Sequence, residues 1–385
     1  MPRANKLDIA KLASDHAVAT SEAKYEPLFA PVPASECVPT GVTILNLAMS
    51  GRVDGGAKQG TIVHTVGDSD TGKSVLAMTF LAEGSVDPRC AGYDLIKDDP
   101  ECSDSFPVRE MFGSALADRI KHPAGEDGDE NSYYIEDFFF NIYERLQTKK
   151  PFLYVLDSMD GLESHAGVEL FEENAKRAAA GNELKQSYGD GKAKKNSENL
   201  RKLKADLKAS RSILNIVSQT RDNINPMSMQ EQVHAGGRAL KFVAQYQMWL
   251  APRGKIVKNI HGKEHACGVL ARVRLSKNHV TGRHLDFVME IPFGYGVDDE
   301  RTTVRWMCDP TGAGLWKLGK GVVTTKGECG LEKEYKASEF VSLARKSGDF
   351  RNAYLMAVQQ AWDNLEKQLR KPGRYSGVIE EVGDE

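Results

Sequence analysis

Between Gly41 and Gly296, short apolar runs alternate with longer stretches whose apolar residues recur at helical spacing. The short runs are Thr61–Val66, Tyr93–Lys97, Phe152–Asp157, Ile213–Ser218, Tyr246–Ala251 and Ala271–Lys277. Their β-branched and aromatic content predicts strands. The spacing predicts a helix over Ser74–Glu83 and another over Gly191–Arg211, where Leu200, Leu203, Leu207 and Leu214 form one stripe. Helices are predicted again around Ser338–Ala344 and Arg351–Leu369. Strands alternating with helices predict an α/β fold on a mainly parallel, twisted sheet.

The same pattern divides the chain. Residues 1–35 are polar and helix-prone until Pro31 and Pro33 interrupt them, which marks a separate arm. Residues 36–297 hold the alternating core. Residues 298–385 form a small C-terminal domain with an acidic end, Glu380–Glu385. A chain of 385 residues, 41% hydrophobic and 27% charged, can bury one large core or two modest ones. No apolar run approaches the ~20 residues that span a bilayer, and the first residues lack the apolar centre of a signal peptide, so no membrane partner is expected. Six cysteines without a C-x-x-C pair suit a reducing cytoplasm. His261, His265 and Cys267 have poor spacing for a metal and predict a polar hairpin loop.

A net charge of −3 argues against a protein that coats nucleic acid over its whole surface. Charge is unevenly placed, however. The Gly191–Arg211 helix carries Lys192, Lys194, Lys195, Arg201, Lys202, Lys204, Lys208 and Arg211 against Glu198 and Asp206. One face of it is therefore a candidate for phosphate contacts.

The most specific chemistry lies in Gly67-Asp68-Ser69-Asp70-Thr71-Gly72-Lys73-Ser74, a G-x-x-x-x-G-K-[ST] phosphate loop between a strand and a helix. Its glycines allow backbone N–H groups to curl around phosphate oxygens. Lys73 can reach the β- and γ-phosphates, and the Ser74 hydroxyl can ligate Mg²⁺. Phe152–Asp157 ends in a carboxylate at the strand end that faces the ligand crevice of a parallel sheet, where Asp157 can hold the same Mg²⁺. Hydrolysis also needs a group that activates water. The acidic segment after Tyr93–Lys97 offers Glu101, with Asp99 as the alternative. Gln219, at the end of Ile213–Ser218, stands where it can sense a γ-phosphate and signal to the irregular segment Asp222–Gly237.

These residues carry a resemblance. Thr40–Ala48 and Gly60–Ser74 resemble the start of the RecA recombinase core, and Leu156-Asp157-Ser158 resembles its second nucleotide motif. Ser218-Gln219-Thr220-Arg221, followed by Gly236-Gly237-Arg238-Ala239-Leu240-Lys241-Phe242, is similar to its second DNA-binding loop and exit helix. Arg272–Asn278 and Phe293–Gly296 are similar to late core strands, and Asp99-Pro100-Glu101 resembles the phage UvsX-type branch. The resemblance spans residues 36–300. It implies a RecA-type ATPase core with ATP and Mg²⁺ as cofactors, Glu101 as catalytic glutamate, Gln219 as γ-phosphate sensor and Lys277 reaching a neighbour's ATP. It further implies DNA contacts from Arg201, Lys202, Arg221, Gly236, Gly237 and Arg238. Filament assembly would run through the N-terminal arm, and the setting would be a phage-infected bacterial cytoplasm. Single- and double-stranded DNA, other copies of the chain, a single-strand-binding protein and a loader are the implied partners. His279 departs from the family, which has a second lysine there. The function implied is ATP-dependent pairing and strand exchange. A ring helicase or motor on the same fold, or a DNA-binding filament with little hydrolysis, are the alternatives.

Overall fold

The computed structural model describes residues 31–102, 106–125, 128–180, 183, 185, 190–222, 232–234 and 238–369. Along the chain, β1 (Cys37–Val38), α1 (Thr43–Ser50) and β2 (Ala57–Lys58) precede the main sheet. There follow β3 (Ile62–Gly67), α2 (Lys73–Val86), β4 (Asp94–Asp98), α3 (Val108–Phe112), α4 (Ser114–Ala117), β5 (Ile120–Lys121), α5 (Ile135–Gln147) and β6 (Phe152–Leu156). Next come α6 (His165–Ala179), α7 (Asp190–Ser210), β7 (Ile213–Asp222), β8 (Gln232–His234), α8 (Arg238–Val243), β9 (Tyr246–Ile260), β10 (Lys263–Asn278) and β11 (Leu285–Pro292). The chain closes with α9 (Asp299–Cys308), β12 (Lys317–Gly319), β13 (Val322–Thr324), β14 (Glu334–Lys336), α10 (Ala337–Lys346) and α11 (Gly348–Leu369).

The sheet runs β11-β10-β9-β3-β7-β6-β4-β5, with β8 against β7. From β9 to β5 every neighbouring pair is parallel, while β10 is antiparallel to β9 and β11. The predicted mainly parallel sheet is therefore present. Its strands are apolar on both faces because helices cover both. In β6, Phe152, Tyr154 and Leu156 join one apolar cluster with α5 and α7, whereas Leu153 and Val155 join another with α1, α2 and α9 to α11. Leu200, Leu203 and Leu207 are the inner stripe of α7 and are fully buried. Leu214, assigned to that stripe from its spacing, belongs instead to β7, because the helix stops at Ser210 and the strand begins at Ile213.

Polar groups within the sheet are paired, as burial demands. Thr65 Oγ1 donates to Asn215 Oδ1 (3.1 Å), and His64 bonds Ser218 Oγ through Nε2 (3.1 Å) and Gln247 Nε2 through Nδ1 (3.1 Å).

Two predicted strands are much longer than their apolar runs. β9 parts from β3 after Leu250 and β10 parts from β11 before Gly268, so residues 257–260 and 263–266 continue as an exposed two-stranded ribbon. The ribbon turns at His261 (φ 51°) and Gly262 (φ 77°), a mirror-image turn that matches strand twist. The predicted hairpin at His261–Cys267 is this turn and the start of β10.

α9 meets α1 and α2 through carboxylates. Thr43 N–H and Oγ1–H donate to Asp299 Oδ1 (2.7 Å) and Oδ2 (2.6 Å), so Asp299 caps α1 from a distant element. Burial, and then Asp299 itself, push the Glu83 carboxyl up to about 7, and burial pushes Asp299 to about 6. A carboxyl with a raised pKa holds its proton more tightly in the folded state. Its stabilising contribution is complete below the ordinary carboxylate range and disappears as pH rises through the folded-state value. Glu83→Gln is therefore expected to raise stability by about 2 kcal/mol at pH 8 and to leave it unchanged at pH 4. Urea unfolding at the two pH values checks this, and an equal effect at both would contradict it.

Candidate active site

β3 ends at Gly67, and residues 68–72 turn the chain into α2. Asp70 (φ 58°) and Gly72 (φ 83°) are left-handed, which aims successive N–H groups into one concavity. The turn is closely packed. A Cβ on Gly67 would lie 2.5 Å from Leu250 O, and one on Gly72 would lie 2.2 Å from Ile291 Cδ1. Thr71 Oγ1 and Lys73 Nζ both donate to Asp68 O (2.8 and 2.5 Å), while Ser69 and Asp70 are exposed. Burial lowers the pKa of Lys73, opposed by Asp157, Asp68, Asp160 and Glu101. A concave backbone cradle with a buried ammonium at a helix N-terminus fits a polyphosphate. The half-buried Ser74 hydroxyl and the Asp157 carboxylate supply the hard oxygen donors that Mg²⁺ takes.

The carboxylates come from the neighbouring strand ends. Asp157 follows β6, is 8% exposed, and its N–H donates to Asp98 O (2.8 Å). Asp98 is fully buried at the end of β4. It accepts Tyr154 O–H (2.6 Å) and Ser132 N–H (2.8 Å), while burial raises its pKa. The two candidate bases differ in setting. Asp99 is buried, lies 3.6 Å from Lys97 Nζ, and its N–H donates to Asn131 Oδ1 (2.9 Å). Glu101 is exposed, and its Oε1 accepts Ser158 Oγ–H at 2.5 Å.

Gln219 pairs with Gly67 in the parallel β3–β7 register, which sets it beside the first residue of the phosphate loop. Its N–H donates to Asp160 Oδ2 (2.7 Å). Arg221 lies near the end of β7 and Arg238 opens α8. Gly236 and Gly237 fall outside the described residues, as does most of the predicted loop between them and β7.

Arg201 and Lys202 are exposed on α7, which packs beside α8. Lys277 lies apart from the phosphate loop. Its Nζ donates to Lys241 O (2.5 Å) and Phe242 O (3.1 Å) at the end of α8. Burial, then Lys204 and Lys241, lower its pKa; burial, then Lys277 and Lys204, lower that of His279. Lys204, Lys241, Lys277 and His279 thus form one electropositive patch continuous with α7. The stretch from His165 onward forms α6 over His165–Ala179, capped by Ser164 Oγ, which accepts Gly167 N–H (3.1 Å). Sequence reasoning missed Ser158 and Asp160. A serine and an aspartate just after a strand carry no signal of their own.

Among the described residues, no helix is long and apolar enough to cross a membrane. The family model described as the RecA N-terminal domain matches residues 174–298. Protein RecA of Thermus thermophilus is 27% identical over 264 residues, covering 68% of each chain. Protein RecA of Bacteroides thetaiotaomicron is 26% identical over 266 residues, 68% of this chain and 70% of that one. A crystal structure of the RadB recombinase aligns over 68% of this chain and 98% of its own, with 15% identity and a TM-score of 0.43. The matched family model and these relatives make the chain similar to RecA-type recombinases, and the large, mainly parallel sheet is consistent with a RecA-type core.

Proposed function

We propose that the chain is an ATP-dependent homologous recombinase that assembles as a filament on single-stranded DNA and exchanges strands with a homologous duplex. The observation that carries this is the placement of Gln219. It adjoins Gly67 at the phosphate loop and lies near the end of the strand that feeds the candidate DNA segment beyond Asp222. A group at both places can couple nucleotide state to DNA affinity.

ATP supplies the phosphoanhydride. The loop 67–72 cradles its phosphates, Lys73 neutralises the β- and γ-oxygens, and Ser74 and Asp157 hold Mg²⁺. Glu101 takes the proton of the water that attacks the γ-phosphorus as the bond to the β-phosphate breaks and ADP leaves, and the Ser158 hydroxyl holds one carboxylate oxygen of Glu101. Lys277 and the cations around it lie away from this chain's own loop, which suits contact with a neighbouring protomer's nucleotide. Arg201, Lys202, Arg221 and Arg238 would meet DNA phosphates together with Gly236 and Gly237. A single-strand-binding protein and a loader are the accessory partners such a filament needs, and a bacterial cytoplasm, entered through a phage, is its setting.

The test is phosphate release from ATP with and without single-stranded DNA, with Lys73→Ala as the blank. Stimulation of about tenfold or more by DNA, absent from the variant, is expected. DNA binding without turnover would replace the proposal with a filament that hydrolyses little.

A further inference from the structure

β7 runs farther than its neighbour β6. The ladder between them ends at Leu156 opposite Ile216, so residues 217–219 of β7 have no strand on that side. The loop after β6 takes the strand's place. Met159 N–H donates to Val217 O (3.0 Å), and two residues further along β7 the Gln219 N–H donates to Asp160 Oδ2 (2.7 Å). The two bonds have the spacing of a parallel ladder, but the second acceptor is a carboxylate. A charged acceptor makes the stronger bond. On its other side the same loop reaches the candidate base. Ser158 Oγ–H donates to Glu101 Oε1, and Asp160 N–H donates to Ser158 Oγ (3.3 Å). Asp160 also lies within electrostatic reach of Lys73. Its carboxylate thus stands between the group that would move onto the phosphates and the backbone that carries Gln219.

We propose that Asp160 is a positioning residue. By holding the Gln219 backbone, it transmits nucleotide state from the phosphate loop to the segment beyond Asp222. The inference rests on the ATP-switched DNA binding proposed above. Lys73 is drawn to bound phosphates and the γ-phosphate brings negative charge, so the charges around Asp160 differ between ATP and ADP. Gln219 feels that difference through the backbone bond as well as through its own side chain.

The experiment measures the affinity of the full chain for a fluorescent oligothymidine in Mg²⁺ with ATPγS and with ADP, for wild type, Asp160→Ala and Asp160→Asn. Wild type is expected to bind at least about tenfold more tightly with ATPγS. Asp160→Ala is expected to bring the ratio to within about twofold of unity, and Asp160→Asn, whose amide oxygen can still accept the N–H but carries no charge, to give an intermediate ratio. Equal wild-type affinities defeat the switch proposed above, and this inference with it. A normal wild-type ratio that Asp160→Ala leaves intact defeats the inference alone, as does an asparagine variant no better than alanine. Amide exchange of a peptide covering Ile213–Asp222 keeps the test decisive if the alanine variant does not fold. The asparagine variant is then expected to exchange about fivefold faster there, in line with loss of a charge-assisted bond, and unchanged exchange overturns the proposal.

Discussion

Glu101→Gln is expected to lower the turnover of ATP by about 10²- to 10⁴-fold while leaving ATP-dependent DNA binding in place. Glutamine has the shape of glutamate and can still accept the Ser158 hydroxyl, so the loop after β6 keeps its geometry. What is lost is the basic oxygen. Asp99→Asn is the informative comparison. Asp99 is buried, with Lys97 at 3.6 Å, so its charge is already engaged within the fold. Its replacement is expected to cost stability more than turnover. Phosphate release and DNA anisotropy, measured on both variants with melting temperatures, separate the two. Loss of turnover in Asp99→Asn with retention in Glu101→Gln would reverse the assignment of the base.

Trp316→Ala is expected to destabilise the protein by about 3–5 kcal/mol. The indole is 2% exposed and packs edge-on against Phe340, with ring centroids 5.5 Å apart, and tilted against Tyr354 at 6.3 Å. Its Nε1–H donates to Glu328. Truncation leaves a cavity between α10, α11 and the small sheet β12–β14, and strands the Glu328 oxygen. These aromatic side chains belong to the apolar cluster that also covers α1 and α2, so the loss is felt beside the phosphate loop too. Denaturant unfolding measures it. A loss below about 1 kcal/mol would mean that the C-terminal helices close over the gap.

Much of this architecture was legible in the sequence, and the exceptions have physical causes. Buried parallel strands are short, apolar and β-branched, so Phe152–Leu156 and Ile62–Gly67 stand out within a residue of their ends. The phosphate loop was legible because its chemistry fixes its spacing. The outer halves of β9 and β10 were not. Residues 251–260 are exposed apart from a half-buried Ile256, so they carry no apolar alternation, and the predicted strand stops at Ala251. The helix α6 buries none of its residues, so no apolar stripe announced it. Individual site residues were legible one at a time, but their partnership was not. Only the β3–β7 register brings Gln219 beside Gly67, and only the early end of β6 leaves Gln219 N–H for Asp160.

The ribbon also sets a length scale. Its free outer strand, residues 257–260, extends roughly 13 Å at the usual rise per residue. Its tip is a tight His261–Gly262 reversal, and both flanking strands are solvent-facing. A probe fixed at that tip stands off the sheet on paired strands rather than on an unpaired loop. In an assembly of repeated copies, the separation between such probes would change with the rise per copy, so stretched and compressed forms would differ in inter-probe distance.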